Sequence, residues 1–441
     1  MPRPRHPITR RAATRARKAA APAPAPTRDG AAPAERLRLP AGHTLSSLCD
    51  GRDRNAVAEW LRGSPDHTLY HLPAYLNFLR GEGAVADVLL LAGDGAPLFA
   101  LPIHSWDATG VSGGYSGVLF PDSARERTLR RSVRALGELL AANDDFAFRL
   151  CQSVQAHAYE DSDRTALLQC LLESEGLALE RMYCWLRRLD DLPADEQIPT
   201  TAGRSLPGAL ELDGDWLGAE PTRGYDQGTR KKIRNALAAG LRVEYVCAGT
   251  PELRDAAYAR YQPVHVESWA RTGLLPKPPG LWSRLGAAVT EAGGLDLVVL
   301  VLDRDEEAVA GLICHLYRGR ALYWSGCSSA RGLAMQANPL GMHAAILACR
   351  REGATRFELG RFRADERSAK ERDVTRYKSH FANALVRVAA YSSTPRPRAR
   401  ARASAAEAVA EARRQLAVRI ARARVSRRGA GAYVRAPGGD P

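Results

Sequence analysis

Leu295-Asp296-Leu297-Val298-Val299-Leu300-Val301-Leu302 is followed, after the polar turn Asp303-Arg304-Asp305-Glu306, by Val309-Ala310-Gly311-Leu312-Ile313-Cys314-His315-Leu316-Tyr317. After Arg318-Gly319-Arg320 comes Ala321-Leu322-Tyr323-Trp324-Ser325-Gly326. The first run is apolar, rich in β-branched residues and too short to span a membrane, as expected of a strand covered on both faces. Three such segments joined by short reversals form an antiparallel meander. Asn338-Pro339 then reads as a helix start, with Asn able to accept from orphan amides and Pro at the first helical position. Leu340, His343, Ala344, Leu347 and Ala348 share a face through Arg351, and Gly353 ends the helix. Arg356-Phe357-Glu358-Leu359-Gly360 resumes extended structure. The order strand, strand, strand, helix, strand then leads into Arg376-Tyr377-Lys378-Ser379-His380-Phe381.

Taken in order and spacing, Asn338-Pro339, Phe357-Glu358-Leu359-Gly360 and Tyr377-Lys378-Ser379-His380-Phe381 resemble elements of the GNAT-like superfamily. The likeness is closer to its duplicated members, the FemAB-type aminoacyltransferases and the BioF/CelD-like acetyltransferase-domain proteins. Glu358 stands where those families more commonly carry Asp, and Arg361 where Gly is commoner. The resemblance implies an acyltransferase in which the strands before and after the helix splay apart. Their exposed backbone groups would hold an activated donor while an amine or hydroxyl approaches from the other side. Upstream, Gln227 to Leu237 resembles the basic helix that opens the catalytic half, which implies that Arg230 and Lys231 flank the donor cleft; an ordinary solvated helix face is the alternative.

A cruder copy of the pattern occupies the first half. Val88 to Ala92, the turn Gly93-Asp94-Gly95, Pro97 to Ile103 and Gly113 to Phe120 repeat the meander. Ser123 to Leu140 reads as a helix and Phe146 to Leu150 as a strand. A second helix from Arg164 to Glu175 and a segment Tyr183 to Leu189 complete the set. The expected fold is therefore α/β (α+β), with two tandem GNAT-like domains of mixed sheets flanked by helices, at residues 41–215 and 216–394.

Charge is distributed unevenly. Residues 1–40 carry ten Lys/Arg against two Asp/Glu, with Ala-Pro repeats from Ala21 to Pro26 that cannot bury a core, so a disordered tail is expected. Residues 395–441 carry twelve Arg against three acids; removing both tails from the whole-chain charge of +14 leaves −3 for residues 41–394. A mildly acidic core offers no general field for nucleic acid. The tails could supply one, and Ala403 to Val425 can form an Arg-fringed helix suited to tRNA, to an anionic membrane surface or to neither. No segment reaches a membrane span, and the Ala-Pro stretch after Thr9-Arg10-Arg11 is not an apolar signal core. The eight cysteines are scattered without Cys-x-x-Cys spacing, which points to a reducing cytoplasm and away from a disulfide frame or zinc site. No P-loop, dinucleotide fingerprint, nucleophile elbow or metal motif occurs.

Acyl transfer requires a proton acceptor for the nucleophile and donors for the developing oxyanion. Glu358, at the strand end bordering the expected cleft, is the candidate base or acceptor-orienting group; a carboxylate paired with Arg361 or Arg356 is the alternative. Lys378 matches the Lys of the family's Phe/Tyr-Lys element, which implies that it holds a donor phosphate or stabilises the oxyanion. Tyr377 could donate a proton or pack in the core. Arg331, Gly332 and Asn338 lie where the donor-side loop meets the helix, although the Gly spacing typical of acetyl-CoA binding is missing. His265, Glu267 and Trp269, with Arg361, are placed on the acceptor side by the resemblance, and a polar loop through Arg363, Asp365, Glu366 and Arg367 lies over the same end. The expected reaction moves an acyl or aminoacyl group from acyl-CoA or aminoacyl-tRNA onto an amine, with no resident cofactor. The alternatives are an acyl-CoA-dependent N-acetyltransferase and a non-catalytic protein that binds nucleic acid or membrane surfaces through its basic tails.

Overall fold

In a computed structural model of the chain, the described residues are 37–49, 53–64, 67–84, 86–104, 117–121, 126–143, 149–151, 163–175, 178–189, 198–218, 222, 224–363 and 369–392. The first half runs β1 (His43–Ser47), α1 (Arg54–Gly63), a 3-10 turn (Leu69–His71), α2 (Pro73–Gly81), β2 (Ala86–Gly93), β3 (Ala96–His104), α3 (Glu126–Ala142), β4 (Arg149–Cys151), α4 (Asp163–Ser174) and β5 (Ala178–Arg188). Short strands β6 (Thr200–Ala202) and β7 (Leu210–Leu212) and helix α5 (Gly214–Gly218) lead to the second half. There α6 (Gln227–Ala238), β8 (Arg242–Cys247), α7 (Pro251–Thr272) and α8 (Leu281–Glu291) precede β9 (Leu295–Leu302), β10 (Ala308–Tyr317) and β11 (Arg320–Ser328). The chain continues through α9 (Ala330–Ala334), α10 (Ala337–Arg351), β12 (Arg356–Arg363), α11 (Ala369–Ser379) and β13 (Ala384–Ser392).

The fold is mixed α/β with two sheets. β1, β2 and β3 form one, and Leu119 extends it by a bridge to Ala100. The other runs β4-β13-β5-β12-β11-β10-β9-β8-β7-β6. The expected meander is present, with β9, β10 and β11 paired antiparallel in sequence order. Its alternation sorts side chains cleanly. Leu297, Val299 and Val301 join Leu312 and Cys314 in the cluster beneath α10, whereas Val298, Leu300 and Ile313 pack beneath α7 and α8. Both faces are thus covered, which is why these strands read as unbroken apolar runs.

The two halves are interleaved. β5, which closes the first half, lies between β12 and β13, while β13, which closes the second, lies between β5 and β4. The large sheet therefore cannot form from either half alone.

Asn338 and Pro339 prove to be the second and third residues of α10, whose N-cap is Gln336 in the left-handed region at φ 61°, without a side-chain cap. Pro is tolerated there because first-turn N–H groups have no intrahelical partner to lose. The expected helix of residues 403–425, both tails, and residues 365–367 of the expected polar loop lie outside the described residues.

Candidate active site at the fork between β11 and β12

β11 and β12 are parallel neighbours joined at three positions, Arg320↔Arg356, Ala321↔Phe357 and Leu322↔Glu358. Beyond Leu322 and Glu358 the pairing ends, although β11 continues to Ser328 and β12 to Arg363. Two irregularities accompany the divergence. On β11 the register with β10 shifts between Ile313 and Cys314, so that Trp324 has no partner of its own. On β12 the register with β5 shifts between Glu358 and Arg361, which pair with Leu186 and Cys184. Gly360 carries the second shift at φ 97°, a conformation unfavourable to any side-chain-bearing residue. The inserted residue brings Glu358 and Arg361 to the same side of the sheet although they are three apart.

Glu358 is 2% exposed, and its Oε2 has no hydrogen-bond partner. Burial pushes its carboxyl up to about 7, against the opposing pull of Arg361, Arg320 and Arg356. Lys378, in the last turn of α11, extends its Nζ to 5.6 Å from the centre of the Tyr323 ring on β11. Its charge also reaches the Cys184 thiol on β5, which burial and Glu358 push up to about 12 against Arg361 and Lys378. β11 and β5 flank β12 on opposite sides, so Lys378 stands across the opening of the fork. The arrangement sets a carboxyl pushed up to about 7 beside the Arg361 guanidinium, where two strands leave backbone groups unpaired by each other.

The other expected site residues are held as follows. Tyr377 donates to the carbonyl of Asn338 at 2.9 Å and meets the Phe381 ring edge-on at 5.3 Å, so its hydroxyl ties α11 to the start of α10. Burial holds that phenol well above its ordinary range. Arg331 pairs with Asp303 at 2.6 Å and Asp305 at 3.2 Å, across the β9–β10 turn. Gly332 is pressed against β10, where an added Cβ would lie 2.2 Å from the carbonyl oxygen of Val309. Arg230 is half-buried and Lys231 exposed on α6, whose capping Asp226 is met by His380 Nδ1 at 2.8 Å.

His265 is fully buried, stacks on Tyr261 and contacts Trp269 and Trp282; its Nε2 accepts from the Lys277 amide at 3.0 Å. Burial and the charge of Lys277 push its pKa down to about 3, so it stays neutral. Trp269 lies under the Lys277 ammonium at 5.7 Å. Glu267 accepts from the Ala330 amide at 2.6 Å and Arg271 donates to the Ser328 carbonyl at 2.7 Å, so the end of α7 grips the loop that leaves β11. The structure thus brings Arg361 beside Glu358, sets Lys378 against Tyr323 on β11, and distributes the remainder around the loop, the helix starts and the core. Sequence reasoning did not single out Tyr323 or Cys184; period-2 alternation along a recognised strand was the available signal for Tyr323, and Cys184 had none.

Residues 224–379 match the family model of the acetyltransferase (GNAT) domain. The matched segment runs from the residue before Tyr225 through α6 and the β9–β11 meander to the end of α11, so it is this part of the second half that carries the GNAT-type acetyltransferase domain. Among solved structures it is similar to FemX, at 13% identity over 78% of this chain and 96% of that one, with a TM-score of 0.47. It is also similar to a tandem GNAT protein from the clavulanic acid biosynthesis pathway, at 11% identity over 80% and 99%, TM-score 0.41. A third is the C-terminal domain of a lysylphosphatidylglycerol synthetase from Agrobacterium fabrum, at 13% identity over 67% and 79%, TM-score 0.40. No curated protein matches the chain.

Proposed function

We propose that the protein transfers an acyl or aminoacyl group from an activated donor to an amine, with the donor's carbonyl held in the fork. The observation that carries this reading is the ending of the β11–β12 pairing at Leu322↔Glu358, with Lys378 across the gap beyond it. Unpaired strand backbone inside a fold must find polar partners, and an extended donor arm supplies them.

In this mechanism Glu358 takes the proton of the attacking amine as the new C–N bond forms. Its raised pKa suits a base acting near neutrality. Lys378 stabilises the oxyanion as a fixed positive charge. Collapse breaks the carbonyl's bond to the leaving sulfur or oxygen, which receives the proton from Glu358 or from water. The Tyr377–Asn338 bond positions the helix that carries Lys378, and we assign Tyr377 that role in place of direct proton donation. Arg331, Gly332, Glu267 and Arg271 shape the loop past which the donor enters; His265 and Trp269 support it from within the core. Arg230 and Lys231 remain available to donor phosphates.

An acyl-CoA is the preferred donor, because the matched family is one of acetyltransferases. The reaction is assigned to the cytoplasm, consistent with Cys314, Cys327 and Cys349 serving as buried thiols in the sheet and α10. Calorimetric titration of the full chain with acetyl-CoA, longer acyl-CoAs and charged tRNA separates the donors. Saturable binding of one of them, weakened in Lys378→Ala, is expected. Absence of binding by all of them would overturn acyl transfer at this fork.

A further inference from the structure

Tyr323 and Gly326 come to one face of β11 through the irregularity at Trp324. They stand opposite Cys314 and Leu312, which are two residues apart on β10 and both belong to the cluster beneath α10. Both positions lie past Leu322, where pairing with β12 has ended. The backbone at 326 makes no demand for glycine, because its φ lies outside the left-handed region. Space makes the demand instead. A Cβ there would clash with the Tyr323 hydroxyl oxygen and lie 3.0 Å from the ring carbon that bears it. The missing side chain is what lets the phenol lie along β11 with its oxygen at residue 326, in the stretch that β12 has left.

Two further observations bear on that oxygen. Lys378 Nζ stands 5.6 Å from the centre of the same ring. Among the described residues the Tyr323 hydroxyl has no hydrogen-bond partner, whereas the hydroxyls of Tyr258, Tyr261 and Tyr377 bond Asp296, Ser325 and Asn338. Burial holds the Tyr323 phenol above its ordinary range, so it stays protonated and keeps a proton to donate. Glu358 lies on the other side of the sheet, since its neighbours Phe357 and Leu359 face α10. An amine reaching Glu358 and an oxygen drawn toward Tyr323 are therefore served from opposite faces of the fork.

We propose that the Tyr323 hydroxyl is a second oxyanion donor beside Lys378, hydrogen-bonding the donor's carbonyl oxygen as the amine adds, and that Gly326 makes room for it. The assignment deepens the acyl-transfer reading and rests on it. As the C–N bond forms, the carbonyl π electrons pass to oxygen, which accepts from the phenol O–H and is held by the Lys378 charge. When the oxyanion collapses, the C=O bond re-forms and the leaving sulfur or oxygen departs with its electron pair. Tyr323 keeps its own proton throughout, so the proton balance of the reaction stays with Glu358.

The test is steady-state release of the CoA thiol by the full chain from acetyl-CoA and, separately, octanoyl-CoA, with hydroxylamine as the attacking amine. Tyr323→Phe keeps the ring beside Lys378 and removes the oxygen. It is expected to lower kcat about 10²-fold while acyl-CoA affinity, measured by calorimetry, stays at the wild-type value. Gly326→Ala, whose methyl pushes the phenol aside, is expected to lower kcat similarly and to add little in a Tyr323→Phe background, because both changes remove one hydrogen bond. If Tyr323→Phe fails to fold, Gly326→Ala carries the test, since the atom it displaces is the far end of a side chain. Wild-type kcat in Tyr323→Phe, or losses that multiply in full in the double variant, would overturn the assignment while acyl transfer at the fork stands. Absence of thiol release by the wild type from either donor would overturn the acyl-CoA reading, and the assignment with it.

Discussion

The Lys378 ammonium lies 5.6 Å from the centre of the Tyr323 ring, joining the last turn of α11 to the part of β11 that has left β12. This contact holds the side chain against the part of β11 that β12 no longer pairs. It fixes where a positive charge sits relative to the edge of β11 that β12 leaves unpaired.

Replacing Lys378 by Ala is expected to lower kcat by roughly 10²–10³-fold, the usual cost of losing an oxyanion donor. The half-buried side chain contributes only about 1 kcal/mol through its ring contact, so the melting temperature should move little. Steady-state kinetics beside thermal melts separate the two effects. Unchanged turnover would remove Lys378 from the chemistry.

Glu358 gives a pH signature of defined sign. As a base it works only when ionised, so kcat/KM should rise through about pH 7 in the wild type and lose that step in Glu358→Gln. Stability should move oppositely. Its folded pKa lies above the model-compound value of 4.5, so the folded state binds the extra proton between about pH 4.5 and 7, and stability falls as pH rises through that window. Glu358→Gln should thus be more stable than wild type at pH 8, by on the order of 3 kcal/mol, with no such gain at pH 4. Denaturant titrations at both pH values check it.

His265, His315 and His343 are buried and held neutral, each pushed down to about 3 chiefly by burial. An unfolded chain takes up protons on these rings near the ordinary value of 6.5 while the folded protein does not, so stability should decline as pH falls from about 6.5 to 3. His315→Gln removes one such site. Its stability should fall less steeply with acid than that of the wild type, measured by urea unfolding at several pH values.

Gly360→Ala probes the irregularity that brings Arg361 beside Glu358. At φ 97° a Cβ is strained, and a loss of about 1–3 kcal/mol is expected, together with reduced kcat as Arg361 shifts. Wild-type stability and turnover in this variant would show that the register shift has no part in the site.

Much of the second half was legible in the sequence. The runs at 295–302 and 309–317 state their strands through β-branched, unbroken apolar patterns, and residues 340–351 state a helix by their shared face. Lys378 and Glu358 were legible as candidates through motif order. Less of the surroundings could be read: the resemblance placed the polar-aromatic cluster of His265 and Trp269 on the acceptor side, but α8 and the Lys277 loop cover His265 completely. Helix periodicity records which residues share a face, not which element covers it.

By itself the sequence determined the order and type of the elements that build the fork, because those depend on alternation, turns and helical periodicity between residues close along the chain. Only the tertiary structure decided that β5 of the first half backs β12, that pairing with β11 stops at Glu358, and that Arg361 turns to the same face. Each of these depends on which distant strand lies alongside and in what register. That is settled by burying both faces of the sheet at once, an energy to which residues more than a hundred positions apart contribute jointly.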